Sequence, residues 1–392
     1  MEFQFTPDQE EFRTEVQDFI ADSWTPPPAD SRSGDDASHT ADSAYEAKLA
    51  ENGWLTMAWP EEYGGLGASH MQQLIFREES AYRGAPGSGG QGVTMVGPCL
   101  MVHGSEEQKL EHLPKIAKGE VNWAQGFSEP GSGSDLASLQ TRAVKDGDDF
   151  VINVQKIWTS GAHHSDWIHV LTRTDPDAPK HRGISYFLLD MKTPGVEVRP
   201  LINMLGDHEF NEVYFTDVRV PASNMMGEQN RGWYVATTLL DFERSGVAWS
   251  ANARRQVEGL TEYARDTSGR SATKLIDDPG VRIGLANIAI EAEASRLLSY
   301  RVVWMQSQQL IPNYEASMSK AFGSELSQRI ANFGTRMIGL PSQRIDPDDP
   351  HAPLRADIGR AYMRTVPSTI AAGSSEIQRN IIATRGLGLP RQ

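Results

Sequence analysis

The sequence predicts an α+β protein in which a helical N-terminal part, a β part and a helical C-terminal part follow one another. Apolar residues recur at helical spacings over the first third of the chain, and they do so again from Gly232 onward. Between these regions lie short alternating runs bounded by Gly, Asp and Pro. We therefore expect an N-terminal helical domain over 1–120, a compact antiparallel β-barrel or sandwich over 121–228 and a four-helix bundle over 229–392.

In the N-terminal part, the spacing of apolar residues predicts helices over 5–24, 44–51, 69–82 and 110–116. Residues 25–44 are rich in Pro, Ser and Asp without periodicity, which favours a mobile loop. The segment 87–92 matches the dinucleotide-binding pattern G-x-G-x-x-G. A helical segment and Pro86 precede it where that fold requires a strand, so a helix-linking loop is the better interpretation.

In the central part, strands are predicted over 167–173, 184–191, 196–201 and 213–220. A further hairpin strand carries Phe150, Ile152 and Val154 on one face after an Asp-Gly-Asp turn. Irregular spacing and the lack of Cys partners argue against a metal site among the nearby histidines, which are His163, His164, His169 and His181.

The C-terminal part is predicted to be helical over 232–260, 284–307, 313–338 and 354–365. The first of these is expected to be one long helix. A last helix is predicted after the Ala-Ala-Gly-Ser-Ser turn, with Ser374 or Ser375 as its cap and with free backbone amides that can face a ligand.

Two neighbouring segments, FSEPGSGSD and INVQKIWTS, concentrate candidate ligand contacts. Small residues in the first let backbone amides approach a polar, flat or phosphorylated cofactor closely. In the second, Trp158 could stack on an aromatic ring while Thr159 or Ser160 offers a hydroxyl. The alternative is an ordinary β-hairpin whose Trp belongs to the core.

Composition excludes several classes of partner. The 392 residues carry a net charge of -15, which argues against nucleic acid and anionic membranes. The single cysteine, Cys99, excludes an internal disulfide and is expected to be a buried thiol. The N-terminus lacks the features of a secretory signal, and no apolar run approaches the ~20 residues of a membrane span. We therefore expect a cytoplasmic protein without membrane insertion.

The two segments together resemble the flavin-binding signature of the acyl-CoA dehydrogenase family. The resemblance continues through WPEEYGGLG, FTDVRVP, LDFERSGVA and AGSSEIQRNIIA, and so covers nearly the whole chain. It implies FAD as cofactor, an acyl-CoA thioester as substrate and an electron-transferring flavoprotein as electron acceptor. The implied reaction removes hydrogens from the α and β carbons and yields the trans-2-enoyl-CoA.

The resemblance also assigns site residues. The implied FAD contacts are Phe127, Ser128, Gly133, Ser134, Trp158, Thr159, Ser160, Arg265, Ser374 and Glu376. Ser134 also matches a position near the thioester of CoA, and Arg244 and Gly373 complete the expected substrate contacts. The backbone amide of Ala372 is expected to stabilise the enolate-like oxygen, together with a flavin hydroxyl.

The proton-accepting base departs from the commonest family pattern, because Ala372 occupies the position that most members fill with Glu. A minority of the family places the Glu in an L-x-x-E-R segment, which here contains Glu243. Leu239 and Val247 flank it at i−4 and i+4, so partial desolvation would raise the pKa of its carboxyl toward that of a useful base. The alternative is a surface Glu243 paired with Arg244.

Only part of the family's sequence motifs for subunit contacts is present in this chain. Ser268 stands where the family usually has Phe, and 336–341 replaces its Gln-rich glycine turn. We expect a homodimer or homotetramer first and a heterotetramer with a related subunit second. Two alternatives remain open at this point: a non-catalytic subunit of a flavoprotein heteromer, and an oxidase or monooxygenase on the same fold.

Overall fold

The computed structural model describes residues 4–28, 31–87, 89–242, 246–269 and 273–390. Helices precede and follow a central sheet, so the predicted α+β class is confirmed. The helices are α1 Pro7–Ser23, α2 Asp36–Glu51, α3 His70–Arg83, α4 Gly97–His103, α5 Glu106–Ala117, α6 Gly232–Phe242, α7 Val247–Asp266, α8 Pro279–Ser307, α9 Tyr314–Ile338, α10 Asp357–Arg364 and α11 Ser375–Ile381. The strands are β1 Trp123–Gly126, β2 Arg142–Asp146, β3 Asp149–Lys156, β4 Trp167–Arg173, β5 Ile184–Asp190, β6 Val196–Leu201 and β7 Phe210–Pro221.

Local capping explains where several N-terminal helices begin. Thr6, Ser69 and Ser105 each accept a hydrogen bond at their hydroxyl from the backbone N–H of a Gln three residues later. The side-chain oxygen of that Gln in turn accepts one from the backbone N–H of the cap residue. Each such cap contributes about 1 kcal/mol to its helix. The segment 87–92 follows α3 and leads into a π-helical turn at Gly92–Val96, so a helix, not a strand, precedes it.

The predicted loop over 25–44 is wrong in its second half, because α2 already begins at Asp36. The Asp35 carboxylate caps it by accepting from the Ser38 N–H at 2.8 Å. Only Tyr45 and Leu49 of this helix are buried, so most of it shows no apolar stripe. Periodicity therefore reveals only its final turns.

The sheet has the strand order β1-β4-β2-β3-β7-β6, with β5 paired to β4. The predicted hairpin is confirmed, since β2 and β3 pair antiparallel from Arg142↔Asn153 to Asp146↔Asp149. The expectation of a wholly antiparallel sheet needs correction, because β4 runs parallel to β1 and, at Arg142↔Arg173, to β2. The long connection between β1 and β4, which contains the β2–β3 hairpin, allows β4 to return in the same direction as β1.

Chain contacts divide the protein into two compact units, each assembled from separate stretches. The sheet unit comprises 31–68 and 88–243. Its core contains Phe150, Ile152, Phe187 and Val213, all at most 2% exposed. The helical unit comprises 1–30, 69–87 and 244–392. In it α7, α8, α9 and α10 share an apolar core, which supports the expected four-helix bundle.

The predicted single helix over 232–260 is two helices, α6 and α7. Gly246 precedes α7 with φ +66°, a left-handed conformation that a continuous helix cannot contain. A Cβ at this position would meet the Ser319 hydroxyl oxygen at 2.6 Å, so the Ser319 side chain would have to move. No helix in the described ranges combines the length and apolar character that a membrane crossing needs.

Candidate active site

A buried ion pair in the sheet unit joins the two candidate ligand segments. Lys156 Nζ lies 2.8 Å from Glu129 Oε1 and donates to the Phe127 carbonyl at 3.2 Å. The Ile157 N–H donates to the Ser128 carbonyl at 3.0 Å. Because Lys156 is wholly buried, this pair fixes the loop 127–135 beside the segment 156–160.

Burial and ion pairing shift the pKa values of Lys156 and Glu129 in opposite directions. Burial lowers the pKa of the Lys156 ammonium to about 8, although Glu129 opposes the shift. Burial alone would raise the pKa of Glu129, but Lys156 and hydrogen bonds from Thr141 and the Gln140 amide lower it overall. Glu129 is therefore a fully hydrogen-bonded carboxylate, and its removal or protonation would break several bonds together.

The loop after Glu129 has a fixed inner side and an open outer side. Glu129 and Ser132 exchange both backbone hydrogen bonds at 3.0 Å, and the buried Ser132 hydroxyl donates to the Asp135 carbonyl at 2.8 Å. Gly133 and Ser134 are exposed. A Cβ added at Gly133 would meet no atom within 4 Å. The backbone along this outer side can therefore approach a ligand.

Trp158 is not a core residue, so the alternative of an ordinary core Trp is wrong. Its side chain is 58% exposed, and its φ of +60° lies in the left-handed region. For a bulky residue this conformation costs about 1–2 kcal/mol and is concentrated at functional sites. The indole and the Phe210 ring lie nearly perpendicular to each other, at a ring-centroid distance of 6.0 Å.

The two hydroxyl residues after Trp158 differ in accessibility. Thr159 is buried, and its backbone N–H and C=O both pair with the backbone of Asn211. Its hydroxyl has no hydrogen-bond partner within the described ranges. Ser160 is half-buried, so it is the more accessible hydroxyl of the two.

A buried histidine supports Phe127, a role that no sequence pattern indicates. The edge-to-face contact between Phe127 and His169 has a centroid distance of 5.1 Å, and the Tyr186 hydroxyl lies 2.6 Å from His169 Nδ1. Burial lowers the pKa of His169 to about 3. The half-buried Phe127 therefore packs on an uncharged imidazole.

We expect His169→Gln to make folding stability less sensitive to acid. The unfolded chain binds a proton at His169 near pH 6.5, whereas the folded protein resists it until about pH 3, so stability falls as the pH drops through this window. Over the whole window the loss is about 5 kcal/mol, and Gln cannot acquire that charge. Its amide oxygen can still accept from Tyr186.

Urea unfolding at several pH values between 7 and 4 measures this effect. The exposed His351, changed to Gln, provides the matched control and should leave the pH slope unchanged. An unaltered slope in His169→Gln would contradict the prediction.

Other histidines of the sheet unit form a stack beside Asn211. His163 lies 3.8 Å from His208 and 4.0 Å from His164 by ring centroids, and His164 stacks on His39 at 4.2 Å. No group of three potential metal ligands forms within the described residues. Hydrogen bonds instead tie the Nε2 atoms of His163 and His164 to the Gly34 carbonyl.

In the helical unit, the turn before α11 has the open amide that the sequence suggested. Ala372 and Gly373 have φ values of +51° and +83°. Among the described residues, no acceptor pairs with the Ala372 N–H. Ser374 caps α11 by accepting from the Ile377 N–H at 3.4 Å. A backbone hydrogen bond and one from Ser374 lower the pKa of the exposed Glu376 carboxyl.

A surface groove of about 700 Å³ lies beside this turn. Arg329 pairs with Glu291 and Arg379 with Glu325, both at 2.6 Å. Arg336 has no such carboxylate partner in the described part of the chain. The remaining groove residues include Gln328, Asn332, Phe333, Thr369, Ser375 and Glu376.

The predicted Arg265 is exposed near the end of α7. Glu243 and Arg244 lie outside the described residues, so their roles stay predictions.

Comparison with known proteins adds a match to each part of the chain. Residues 6–120, 124–218 and 230–387 match the N-terminal, middle and C-terminal domains of acyl-CoA dehydrogenase. The chain belongs to the acyl-CoA dehydrogenase family. It is therefore an oxidoreductase that acts on a CH–CH group.

Individual relatives align over almost their full lengths. Acyl-CoA dehydrogenase FadE26 of Mycobacterium tuberculosis is 36% identical, with 100% of this chain and 99% of the relative covered. Acyl-CoA dehydrogenase IpdE1 from the same organism is 37% identical, with 98% and 99% covered. These values support homology over the whole acyl-CoA dehydrogenase chain.

Two similar solved structures carry paired chain names. The ChsE4-ChsE5 complex from Mycobacterium tuberculosis contains a chain with a TM-score of 0.90 and 36% identity. A steroid acyl-CoA dehydrogenase, Tcur3481-Tcur3483, gives a TM-score of 0.89 and 35% identity. Both similarities cover 100% of this chain and of the other chain.

Proposed function

We propose that this acyl-CoA dehydrogenase carries out FAD-dependent α,β-dehydrogenation of an acyl-CoA thioester, with Glu243 as the base. The observation that carries this proposal is the joined pair of segments, in which Lys156 and Glu129 hold an open glycine loop beside an exposed Trp158. The product would be the trans-2-enoyl-CoA. Bound FAD supplies the acceptor for the hydride that leaves the β carbon.

The residues of the sheet unit fit FAD in chemistry and exposure. The exposed indole of Trp158 and the half-buried Phe127 offer aromatic surface to a flat ring system. Ser128 and Ser160 are half-buried and can donate hydroxyl hydrogen bonds. The amides and hydroxyls along Gly133 and Ser134 suit phosphate or carbonyl oxygens. Thr159 would act through its backbone, because its side chain is buried.

Residues of the helical unit and the Glu243 segment would handle the proton and the thioester. The Glu243 carboxylate would take the α proton, and the Ala372 N–H would donate to the thioester oxygen as negative charge develops on it. Arg244 and Gly373 would contact the substrate. Arg265, Ser374 and Glu376 remain proposed FAD contacts.

Anaerobic flavin bleaching tests the proposal. The purified protein, with added FAD, is mixed with straight-chain, branched and steroid-side-chain acyl-CoA thioesters while the flavin absorbance is followed. We expect bleaching by at least one class, and the steroid acyl-CoA dehydrogenase among the similar structures makes that class the leading candidate. A folded preparation that does not bind FAD, or is bleached by none of them, would overturn the proposal.

Reoxidation separates a dehydrogenase from an oxygen-using flavoenzyme. We propose that an electron-transferring flavoprotein is the acceptor, so reduced protein should reoxidise faster with that flavoprotein than with air-saturated buffer. Faster reoxidation by oxygen would favour the oxidase or monooxygenase alternative.

We also propose that the chain works as a heterotetramer with a related subunit. One similar structure is the ChsE4-ChsE5 complex and another carries the paired name Tcur3481-Tcur3483, which favours this arrangement over a homo-oligomer. The features that depart from the family's usual contact are the Gly339 turn, with φ +77°, and Arg336 in the groove, which has no carboxylate partner among the described residues. Mass measurement and FAD titration of the chain alone and with the candidate partner test this. A fully FAD-loaded, active monomer would refute it.

A further inference from the structure

A lysine of the helical unit holds the turn that carries the Ala372 amide. Lys320 Nζ, on α9, donates to the Gly373 carbonyl at 2.8 Å and to the Ser368 carbonyl at 3.0 Å. From the other side, Gln378 Nε2 lies 3.3 Å from the carbonyls of both Ala372 and Gly373. Two side chains from different helices therefore hold the carbonyls of the same short turn.

The conformation of this turn needs such support. Ala372 has φ +51°, a region that residues with a Cβ rarely adopt, and Gly373 follows at φ +83°. Two successive left-handed residues orient the Ala372 N–H away from the regular pattern of α11. Lys320 and Gln378 bind the carbonyls on either side of the Gly373 N–H, so together they restrict rotation of that part of the backbone.

We propose that Lys320 is a positioning residue for the oxyanion-stabilising amide of Ala372. This inference rests on the proposed acyl-CoA dehydrogenation, and it adds a residue that does not itself touch the substrate. By holding the Gly373 carbonyl, Lys320 fixes the Gly373–Ser374 peptide, which is separated from the Ala372 amide by the single peptide whose carbonyl Gln378 holds. Gln378 supports the same turn from α11.

The expected effect of Lys320 on the rate follows from the orientation that a catalytic hydrogen bond requires. An amide stabilises a developing oxyanion only when its N–H is preorganised toward that oxygen. A misplacement of about 1 Å can lower a rate about 10²-fold. Loss of Lys320 should therefore weaken polarisation of the thioester carbonyl while leaving most other contacts with the acyl-CoA in place.

The test uses Lys320→Met in the complete FAD-loaded protein with its partner. The probe is the trans-2-enoyl-CoA of whichever acyl-CoA bleaches the flavin fastest, labelled with ¹³C at the thioester carbonyl. Difference infrared spectroscopy gives the shift of the carbonyl stretch on binding. We expect the variant to lose most of this shift and to reduce flavin about 10- to 10²-fold more slowly, with probe affinity changed by less than about threefold.

Gln328→Met is the matched control. Gln328 also lies on α9 and binds the chain just before the turn, at the Thr365 carbonyl at 3.0 Å and the Thr369 hydroxyl at 3.1 Å. If Lys320 acted only as a structural tether, the two variants would resemble each other in thermal stability and in carbonyl shift. We expect a normal carbonyl shift in Gln328→Met and the loss of most of the shift in Lys320→Met.

The outcomes separate this inference from the proposed function. If the flavin of the wild-type protein is not bleached, the proposed function is wrong. If the wild-type protein is bleached and shifts the carbonyl stretch, but Lys320→Met shows the same full shift, the positioning role is wrong. If Lys320→Met does not fold, Gln378→Leu decides in the same assay, and a full shift in that variant overturns the inference.

Discussion

Replacing Glu243 with Gln is expected to lower the rate of flavin reduction by about 10²- to 10⁴-fold, the range typical of a lost general base. Gln keeps the shape and hydrogen bonding of the side chain but cannot accept the α proton. FAD content and acyl-CoA affinity should therefore remain close to wild type. Stopped-flow absorbance under anaerobic conditions measures the rate.

Hydrogen exchange gives this prediction a second readout. In D₂O, wild-type protein should exchange the α hydrogens of a bound acyl-CoA, as followed by NMR, and Glu243→Gln should not. Glu262→Gln, an exposed position on α7, is the control and should retain both activities. Near-normal flavin reduction together with α-hydrogen exchange in Glu243→Gln would exclude this residue as the base.

Lys156→Met is expected to destabilise the protein by about 3–5 kcal/mol and to reduce FAD retention. The substitution leaves the Glu129 carboxylate buried without its cation, which is much more costly than losing an exposed pair. It also frees the Phe127 carbonyl, so the loop and the segment around Trp158 lose their common anchor. Urea unfolding and flavin fluorescence after gel filtration measure the two effects.

A second substitution distinguishes the buried charge from a packing defect. Lys156→Met combined with Glu129→Gln removes the isolated charge and keeps an oxygen acceptor for the Thr141 N–H, so we expect much of the stability to return. Arg199→Met, in the exposed pair with Glu197, should cost at most about 1 kcal/mol. A loss of similar size in Arg199→Met and Lys156→Met would contradict this account.

The same pair has a pH dependence with a defined sign. The pKa of Glu129 is lowered below its ordinary value of 4.5, so its stabilising contribution is present above pH 4.5 and is lost as pH falls through the folded-state pKa. Lys156→Met removes the cation that helps to lower this pKa. The acid unfolding transition of the variant should consequently shift to higher pH.

Sequence patterns predict elements well where burial alternates or turns are sharp. The bounds of β4 and β6 were predicted residue for residue, because turn residues bound both strands. The start of α2 was missed because its first turns are exposed, and the break at Gly246 was missed because apolar spacing continues across it. The parallel pairing of β1 with β4 depends on the path of the chain, which periodicity does not encode.

The candidate site likewise has some features that sequence patterns indicate and others that they do not. The sequence identified Trp158, the glycine loop and the Ala372 turn through recognisable residue types and through resemblance to the family. It gave no sign of the Lys156–Glu129 pair, whose members are 27 residues apart, or of the support that His169 gives to Phe127. Such contacts depend on strand register and burial, so only the folded arrangement reveals them.

The helical unit draws its residues from both ends of the chain, which has a consequence for synthesis on the ribosome. Glu78 of α3 accepts a hydrogen bond from Tyr300 of α8, 222 residues later. At about 5–20 residues per second, α3 emerges on the order of 10–40 s before that partner exists. During this interval Leu74 and Ile75, which end at most 1% exposed, lack the part of their apolar cluster that Tyr300 and Val303 contribute. The nascent chain therefore leaves part of the apolar face of α3 uncovered until α8 has been synthesised.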